Sequence, residues 1–378
     1  MRNETIITNA ALALPDAVRH GTLVLRGDAI AEIQPAPSAA PGAIDVEGDY
    51  VIPGVIDLHT DNLERQVQPR SNARWPSRSA MVAHDAQCAA AGVTTVLDAL
   101  CLGDLGFEKD RVRTFRDGMA DIDALSDAGA LRAEHFLHLR CEMPADDMLS
   151  LFEPVAEHPR VRMVSLMDHT PGVGQYFNLD YYRALQRALG ASEAAIERRI
   201  AELRGNRARL RGPNRRTVLA RLSGSGVALA SHDDRTEEEV AENAADGIDV
   251  SEFPVTMEAA RAAKAAGMAV IAGAPNIVRG GSHSGNVAAC DLVDAGAVDA
   301  LASDYVPSSL VEAAFLCARR GLDLPTAVGL VTAGPARIAR LHDRGRIEPG
   351  LRADLVRVRL HGDLAVVRAA WRMGERVA

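Results

Sequence analysis

A chain of 378 residues with 47% hydrophobic and 25% charged side chains exceeds one minimal domain and can fill a large core. Its formal net charge of −9 argues against a general nucleic-acid binder, although local basic clusters can still meet an anionic substrate. Aromatic residues are only 4%, so the core must rest on Ala, Val, Leu and Ile, which suits the interior of a parallel barrel.

Residues 1–52 read as short strands joined by tight turns. TIITNAALAL, GTLVLRGDAIAEIQP and GAIDVEGDYVIP alternate apolar and polar positions between Gly, Asp and Pro. The start of the chain has no basic stretch leading into a long apolar core, and no run of about 18 apolar residues occurs anywhere, so neither a signal peptide nor a membrane span is expected. RGRIEPGLRADLVRVRL and AVVRAAWRMGERV at the other end share the strand texture. Segments 1–52 and 345–378 are therefore expected to form one small β domain, a β-sandwich, with 53–344 as the main body.

In that body, buried strand-like runs alternate with Ala-rich helical runs. Strands are predicted at 55–59, 94–100, 136–142, 161–168, 227–231, 248–253, 269–274 and 300–304. Helices at 80–91 and 236–245 are closed by Gly92 and Gly247, glycine being the expected residue just past a helix end. Eight strands with intervening helices imply an α/β fold, a closed (β/α)8 barrel of the TIM type, with an open doubly wound sheet as the alternative. Residues 181–222 stand out as an arginine-rich helical insertion in which Ile196, Ile200 and Leu203 share a face. A solvated hairpin with a basic outer face is the favoured reading; a lid or docking surface is the other. The cysteines, Cys88, Cys101, Cys141, Cys290 and Cys317, are scattered and form no CxxC pair, as expected of buried reduced thiols in a cytoplasmic protein.

Residues suited to chemistry recur where the predicted strands end, which in a parallel barrel is the active-site face. The first strand ends in His59 and Asp61, two residues apart, so both can reach one metal ion. The third ends in His138, Arg140 and Glu142, where Glu142 is a candidate bridging ligand or a salt-bridge partner of Arg140. Asp168 and His169 follow the fourth strand, His232 the fifth, Glu252 the sixth and Asp304 the eighth. Each alone reads more readily as structural. Gathered at one mouth, such groups would repel unless cations lay among them. A second set suits anions. Arg65, Arg70, Arg74 and Arg78 follow the first strand, and Arg279, Gly280, Gly281, Ser282 and His283 follow the seventh. Arginine can grip phosphate bidentately, and glycine lets backbone N–H groups come close to it.

PGVIDLHTD, the histidine after the fifth strand, the aspartate after the eighth and the closing RIEPGLRADLVRV resemble the amidohydrolase superfamily over nearly the whole chain. DLHTDNLE, VAHDAQ, LHLRCE, SLMDHTPG, ASHDD, GAPNIVRGGSHSGN and ASDYVPSSL further resemble the triphosphate diphosphatases of the carbon–phosphorus lyase pathway. The resemblance implies a metal-dependent hydrolase. Its substrate would be a phosphorylated sugar phosphonate, cleaved in phosphonate catabolism to pyrophosphate and the 5-phosphate. It places metal ligands at His59, Asp61, His232 and Asp304, with Asp304 as the catalytic proton acceptor. Asp61 stands where many members have a second histidine. No lysine is available on the fourth strand to bridge two ions, so Glu142 is the substitute. Glu252 occupies the sixth-strand position of a usual histidine, and His169 or Glu252 would complete the set. Arg65, Arg70, Arg279, Gly280, Gly281 and His283 are assigned to substrate binding. The ion is expected to be divalent, zinc first, with manganese, iron or nickel also suited to these ligands. The partner is a small molecule, with no nucleic acid or membrane; a homodimer fits a barrel of this size. A C–N hydrolase (deaminase, deacetylase or cyclic amidase) and a non-catalytic barrel subunit are the competing readings.

Overall fold

Alternation at the N-terminus becomes antiparallel pairing in the computed structural model, which describes residues 4–70, 73–105, 110–282 and 285–378. Strand β1 (Glu4–Ala13) pairs with β2 (Val18–Arg26), and β2 with β3 (Ala29–Gln34). The two-residue β2–β3 turn is possible because Gly27 takes φ +63°, a left-handed conformation that costs glycine nothing. Short β4 (Ile44–Asp45) and β5 (Tyr50–Pro53) run parallel to β1.

The barrel strands follow: β6 (Val55–Thr60), β7 (Val93–Leu102), β8 (Glu134–Glu142), β9 (Val161–Met167), β10 (Ala228–His232), β11 (Val250–Glu252), β12 (Ala269–Gly273) and β13 (Ala300–Ala302). All are parallel, each to the next in sequence. Each coincides with an expected strand to within two residues at either end. The ring closes at its mouth, where the Asp304 amide donates to the His59 carbonyl at 2.9 Å and the Asp61 amide donates to the Asp304 carbonyl at 2.6 Å. Branched and small side chains fill the centre, among them Ile56, Leu97, Met163, Ala230, Val250 and Ile271. Burying one such aliphatic side chain is worth ~1.5–3 kcal/mol, so this layer sets the barrel's shape and the position of everything above it.

Between the strands lie α1 (Asn62–Val67), α2 (Ser77–Ala90), α3 (Arg111–Asp127), α4 (Met148–Phe152), α5 (Leu179–Ala188), α6 (Glu193–Leu222), α7 (Glu237–Ala245), α8 (Met257–Ala265) and α9 (Ala274–Arg279). Further short helices follow β12 and β13. Helix α7 starts at a capping box, Thr236 with Glu239, as its sequence anticipates. The chain then returns to the small sheet through β14 (Leu355–His361), β15 (Leu364–Arg372) and β16 (Glu375–Arg376), with β14 antiparallel to β5. The sheet drawn from both chain ends is one continuous path, β16-β15-β14-β5-β1-β2-β3, wrapped around a core that includes Leu12, Leu25, Ile30, Val51, Leu355 and Trp371. Gly54 marks the crossing into the barrel. A Cβ there would lie 2.3 Å from Thr94 Oγ1 and 2.8 Å from Asp354 Cβ, so only glycine lets the two bodies meet.

The insertion forms α5 and α6, capped by the side chains of Asn178 and Ser192. Ile196, Ile200 and Tyr182 pack together inside the hairpin, while Leu203 joins the main barrel core. The arginine stripe does not point to water as a whole. Arg207 bonds Asp168 at 2.6 Å, Arg211 bonds Glu242 at 3.1 Å, and Arg215 bonds Asp246 at 2.7 Å. These pairs fasten α6 along the barrel. Asp168, considered for the site on sequence grounds, is occupied in that fastening.

Candidate active site

Side-chain direction at the end of β6 depends on a break in alternation. Ile56 and Leu58 pack in the central apolar cluster, so strict alternation would send His59 outward with Asp57. An irregularity in the β6–β7 register between Asp57 and Thr60 adds a residue there, and both His59 and Asp61 face the mouth. The facing strands turn sharply at their ends. Asp233, Phe253 and Asp304 take φ +56°, +54° and +55° within two residues of the ends of β10, β11 and β13. Non-glycine residues rarely adopt this conformation, and its concentration at one rim marks strain held in place by the barrel.

His59 lies at the centre. Its Nδ1 stands 2.8 Å from Glu252 Oε1 and its Nε2 3.5 Å from Asp61 Oδ1. Beneath it, the Ser165 hydroxyl is 2.6 Å from His138 Nε2 and 2.8 Å from Glu252 Oε2. His138 is buried, and burial holds its imidazole down to about 3. Its Nδ1 lies 2.9 Å from the Leu58 carbonyl, which can only accept, so Nδ1 carries a hydrogen. Burial also opposes charge on His59, but Glu252 and Asp61 overcome it and raise the group to about 10. His232 Nδ1 is 3.0 Å from Asp233 Oδ2, and its Nε2 is 3.7 Å from Glu252 Oε2. Next along the chain, Asp234 accepts from Ser251 at 2.6 Å and Asn243 at 2.8 Å, which pins the β10 rim. His169 Nδ1 contacts Glu142 Oε1, and Asp61 Oδ1 accepts from Arg140 at 2.5 Å.

Among the described residues, three overlapping sets bring nitrogen and oxygen donors within 4.8 Å of one another at this mouth. They are His59, Asp61 and Asp304; His59, His232 and Glu252; and His169, His232 and Asp233. The structure thus gathers His59, Asp61, His169, His232, Glu252 and Asp304, and joins Glu142 to them through His169. Two features fit a cation. The buried Glu142 Oε2 has no hydrogen-bond partner, a costly state for a carboxylate oxygen. Burial and the nearby Asp61 carboxylate push Asp304 above its ordinary range, and its carboxylate accepts no hydrogen bond among the described residues. Imidazole and carboxylate donors at such a mouth suit a divalent ion of the zinc type.

A cavity of about 480 Å³ opens above the donors. Its wall includes Arg111, Arg140 and Arg279 on one hand and Phe253, Pro275 and Leu292 on the other. Leu185, Gln186 and Leu189 at the end of α5 also line it, so the hairpin supplies part of the roof. Arg279 makes no ion pair among the described residues. Gly280 and Gly281 are otherwise engaged. Their N–H groups donate to the Ile277 and Asn276 carbonyls and close the α9 C-terminus, so those amides are not directed at a ligand. Arg65 donates to the Tyr305 carbonyl at 2.7 Å and so braces a lining residue. Arg70 is exposed and away from the cavity wall, while Arg74 and Arg78 pair with Asp117 and Asp121 on α3. His283 lies outside the described residues. Arg111 and Asp233 carry no assignment in the sequence, and Arg140, read there as one possible salt-bridge partner of Glu142, pairs with Asp61 instead. Arg111 opens α3, well past the end of β7, so its distance from the strand end hides it from a reading of strand rims.

The fold is that of the amidohydrolases. An amidohydrolase crystal structure matches with a TM-score of 0.63 at 15% identity, covering 99% of this chain and 98% of that one. The 5-methylcytosine deaminase of Klebsiella pneumoniae matches with 0.64 at 17% identity, covering 99% and 98%. The N-acetyl-D-glucosamine-6-phosphate deacetylase of Mycobacterium smegmatis matches with 0.65 at 16% identity over all of both chains, 100% each. No family model matches the chain. In sequence, it is 44% identical over 376 residues to the alpha-D-ribose 1-methylphosphonate 5-triphosphate diphosphatase of Escherichia coli (strain K12), covering 98% of this chain and 100% of that relative, and it belongs to that diphosphatase family.

Proposed function

We propose that this chain is a metal-dependent diphosphatase that hydrolyses alpha-D-ribose 1-methylphosphonate 5-triphosphate to pyrophosphate and the 5-phosphate. One observation carries the reading: a single cavity joins the imidazole–carboxylate cluster to the guanidinium groups of Arg111, Arg140 and Arg279. C–N cleavage itself draws only on the first, whereas hydrolysis within a polyphosphate draws on both. The 44% identical relative narrows the anion to a ribosyl phosphonate triphosphate.

His59, Asp61, His232 and Asp304 would hold the ion, with Glu142 and His169 beside them. A divalent cation bound there, zinc being the ion proposed, supplies positive charge at the phosphoryl group and makes water a better nucleophile at neutral pH. Asp304, the rim carboxylate, takes the proton of the attacking water. The water oxygen bonds to the phosphorus next to the ribose, the phosphoanhydride P–O bond beyond it breaks, pyrophosphate leaves with the bonding electrons, and the ribose keeps one phosphate. Arg279 binds the polyphosphate directly. Arg111 and Arg140, tied to Glu64 and Asp61, lower the field that the site's carboxylates would otherwise turn against a polyanion. Asp233 holds His232 through Nδ1 and leaves Nε2 toward the mouth. The five free, buried cysteines accord with a cytoplasmic setting. The test is pyrophosphate release from ribosyl and nucleoside triphosphates by wild type and Asp304→Asn. Undiminished turnover in the variant removes Asp304 from the mechanism, and absence of pyrophosphate release from every triphosphate, with ammonia released from an amino-bearing nucleoside triphosphate, removes the diphosphatase reading.

A further inference from the structure

Behind the barrel wall, away from the cavity, lies a chain of buried polar side chains that the proposed reaction does not use. It links α2, β7 and β8. His135 Nδ1 is 2.8 Å from Asp98 Oδ2, and its Nε2 is 3.3 Å from Asp85 Oδ1. Asp98 Oδ1 is 2.7 Å from His84 Nε2. His84 Nδ1 is 2.9 Å from Asn62 Nδ2, and the same amide donates to Gln87 Oε1 at 3.0 Å. Asn62, His84, Asp85, Asp98 and His135 are each at most 1% exposed. An amide nitrogen can only donate, so His84 Nδ1 accepts and Nε2–H is left to donate to Asp98. Every ring nitrogen of both histidines has a partner at hydrogen-bond distance, which makes this a bonded network and not an open metal site.

The network ends next to Asp61. Aspartate is a favoured N-cap residue, and Asp61 holds the N-cap position of α1, yet its carboxylate makes no capping bond. That carboxylate faces the mouth, 3.5 Å from His59 and 2.5 Å from Arg140. The start of α1 must then be held by something else. Its neighbours on both sides supply this. Thr60 lies in register opposite Asp98, and Asn62 is tied to His84. We propose that His84 is a positioning residue for the cation site: by gripping Asn62 from Asp98 it fixes the chain on which Asp61 rides and keeps the Asp61 carboxylate turned to the mouth. The inference rests on the reading of Asp61 as a metal ligand.

Zn²⁺ affinity of the full-length protein, measured by chelator competition, tests the link without relying on turnover. His84→Ala is expected to lose roughly 10- to 100-fold in affinity, the usual cost of removing support behind a ligand, while its circular dichroism stays that of wild type. His84→Gln, whose amide can both accept and donate, should recover part of the loss. Asn62→Ala should lose as much as His84→Ala, and the double variant no more than either single one, because both break the same contact. Should His84→Ala fail to fold, Asn62→Ala decides the matter alone. Wild-type Zn²⁺ affinity in a folded His84→Ala or Asn62→Ala, beside a clear loss in Asp61→Ala, overturns the inference and leaves the metal site standing; so does an additive double variant. Unchanged affinity in Asp61→Ala removes the metal-site reading and the inference with it.

Discussion

Replacing His135 by glutamine removes a buried titrating group and keeps a side chain that can still hydrogen-bond. His135 sits between Asp98 at 2.8 Å and Asp85 at 3.3 Å. Burial disfavours its charged form, but the two carboxylates more than offset this and raise it from 6.5 to about 9. Imidazoles on both sides hold Asp98 well below the usual carboxylate range, which is the same attraction seen from its other end and is counted once. Because the folded-state value lies above the unfolded one, the folded chain holds this proton more tightly. The stabilisation is complete below pH ~6.5 and is lost as pH rises through about 9. A gap of roughly 2.5 units at ~1.36 kcal/mol each amounts to about 3 kcal/mol. Urea unfolding at pH 6 and pH 10 measures it. Wild type should lose about 3 kcal/mol more than His135→Gln across that interval. Parallel pH dependence in the two proteins would refute a charged imidazole in this network.

Three further outcomes are expected. Asp304→Asn should lower kcat ~10²- to 10⁴-fold, the usual worth of a general base, with circular dichroism unchanged. Arg279→Ala should cost about 1.5–3 kcal/mol in kcat/KM, chiefly through KM, since a charge-assisted bond to phosphate is lost; assays at varied triphosphate concentration separate the two parameters. Gly334→Ala should destabilise by about 1–3 kcal/mol or more without touching the site, seen as a lower thermal midpoint. A Cβ at that position would lie 2.0 Å from the Asp299 carbonyl oxygen.

The barrel was legible because its signal is repeated. A strand buried on both sides is a short apolar run, and a helix between such runs is closed by glycine, as at Gly92 and Gly247. The rim positions of His232 and Asp304 followed directly, since each falls within two residues of a strand end. Less followed for His59. Its inward direction needs the β6 irregularity, which arises from pairing with β7 and has no signature in the segment itself. The glycine loop misled for a local reason: Gly280 reads equally as a phosphate turn or a helix stop, and at φ +77° it is the stop that ends α9. Arginine counts say little about partners. Arg207, Arg211 and Arg215 look like an open basic stripe until Asp168, Glu242 and Asp246 are brought opposite them by the fold. The His84–Asp98–His135 network was present in VAHDAQ and in the second and third barrel strands, β7 and β8, but only the tertiary structure places three buried residues from separate elements in contact.

The most direct measurement of the central claim is pyrophosphate release from alpha-D-ribose 1-methylphosphonate 5-triphosphate by the purified protein after exhaustive chelation, and again after one divalent ion at a time is restored. The account expects turnover to vanish on chelation and return with a divalent ion. Full turnover in the stripped protein, or none with any ion restored, would contradict it.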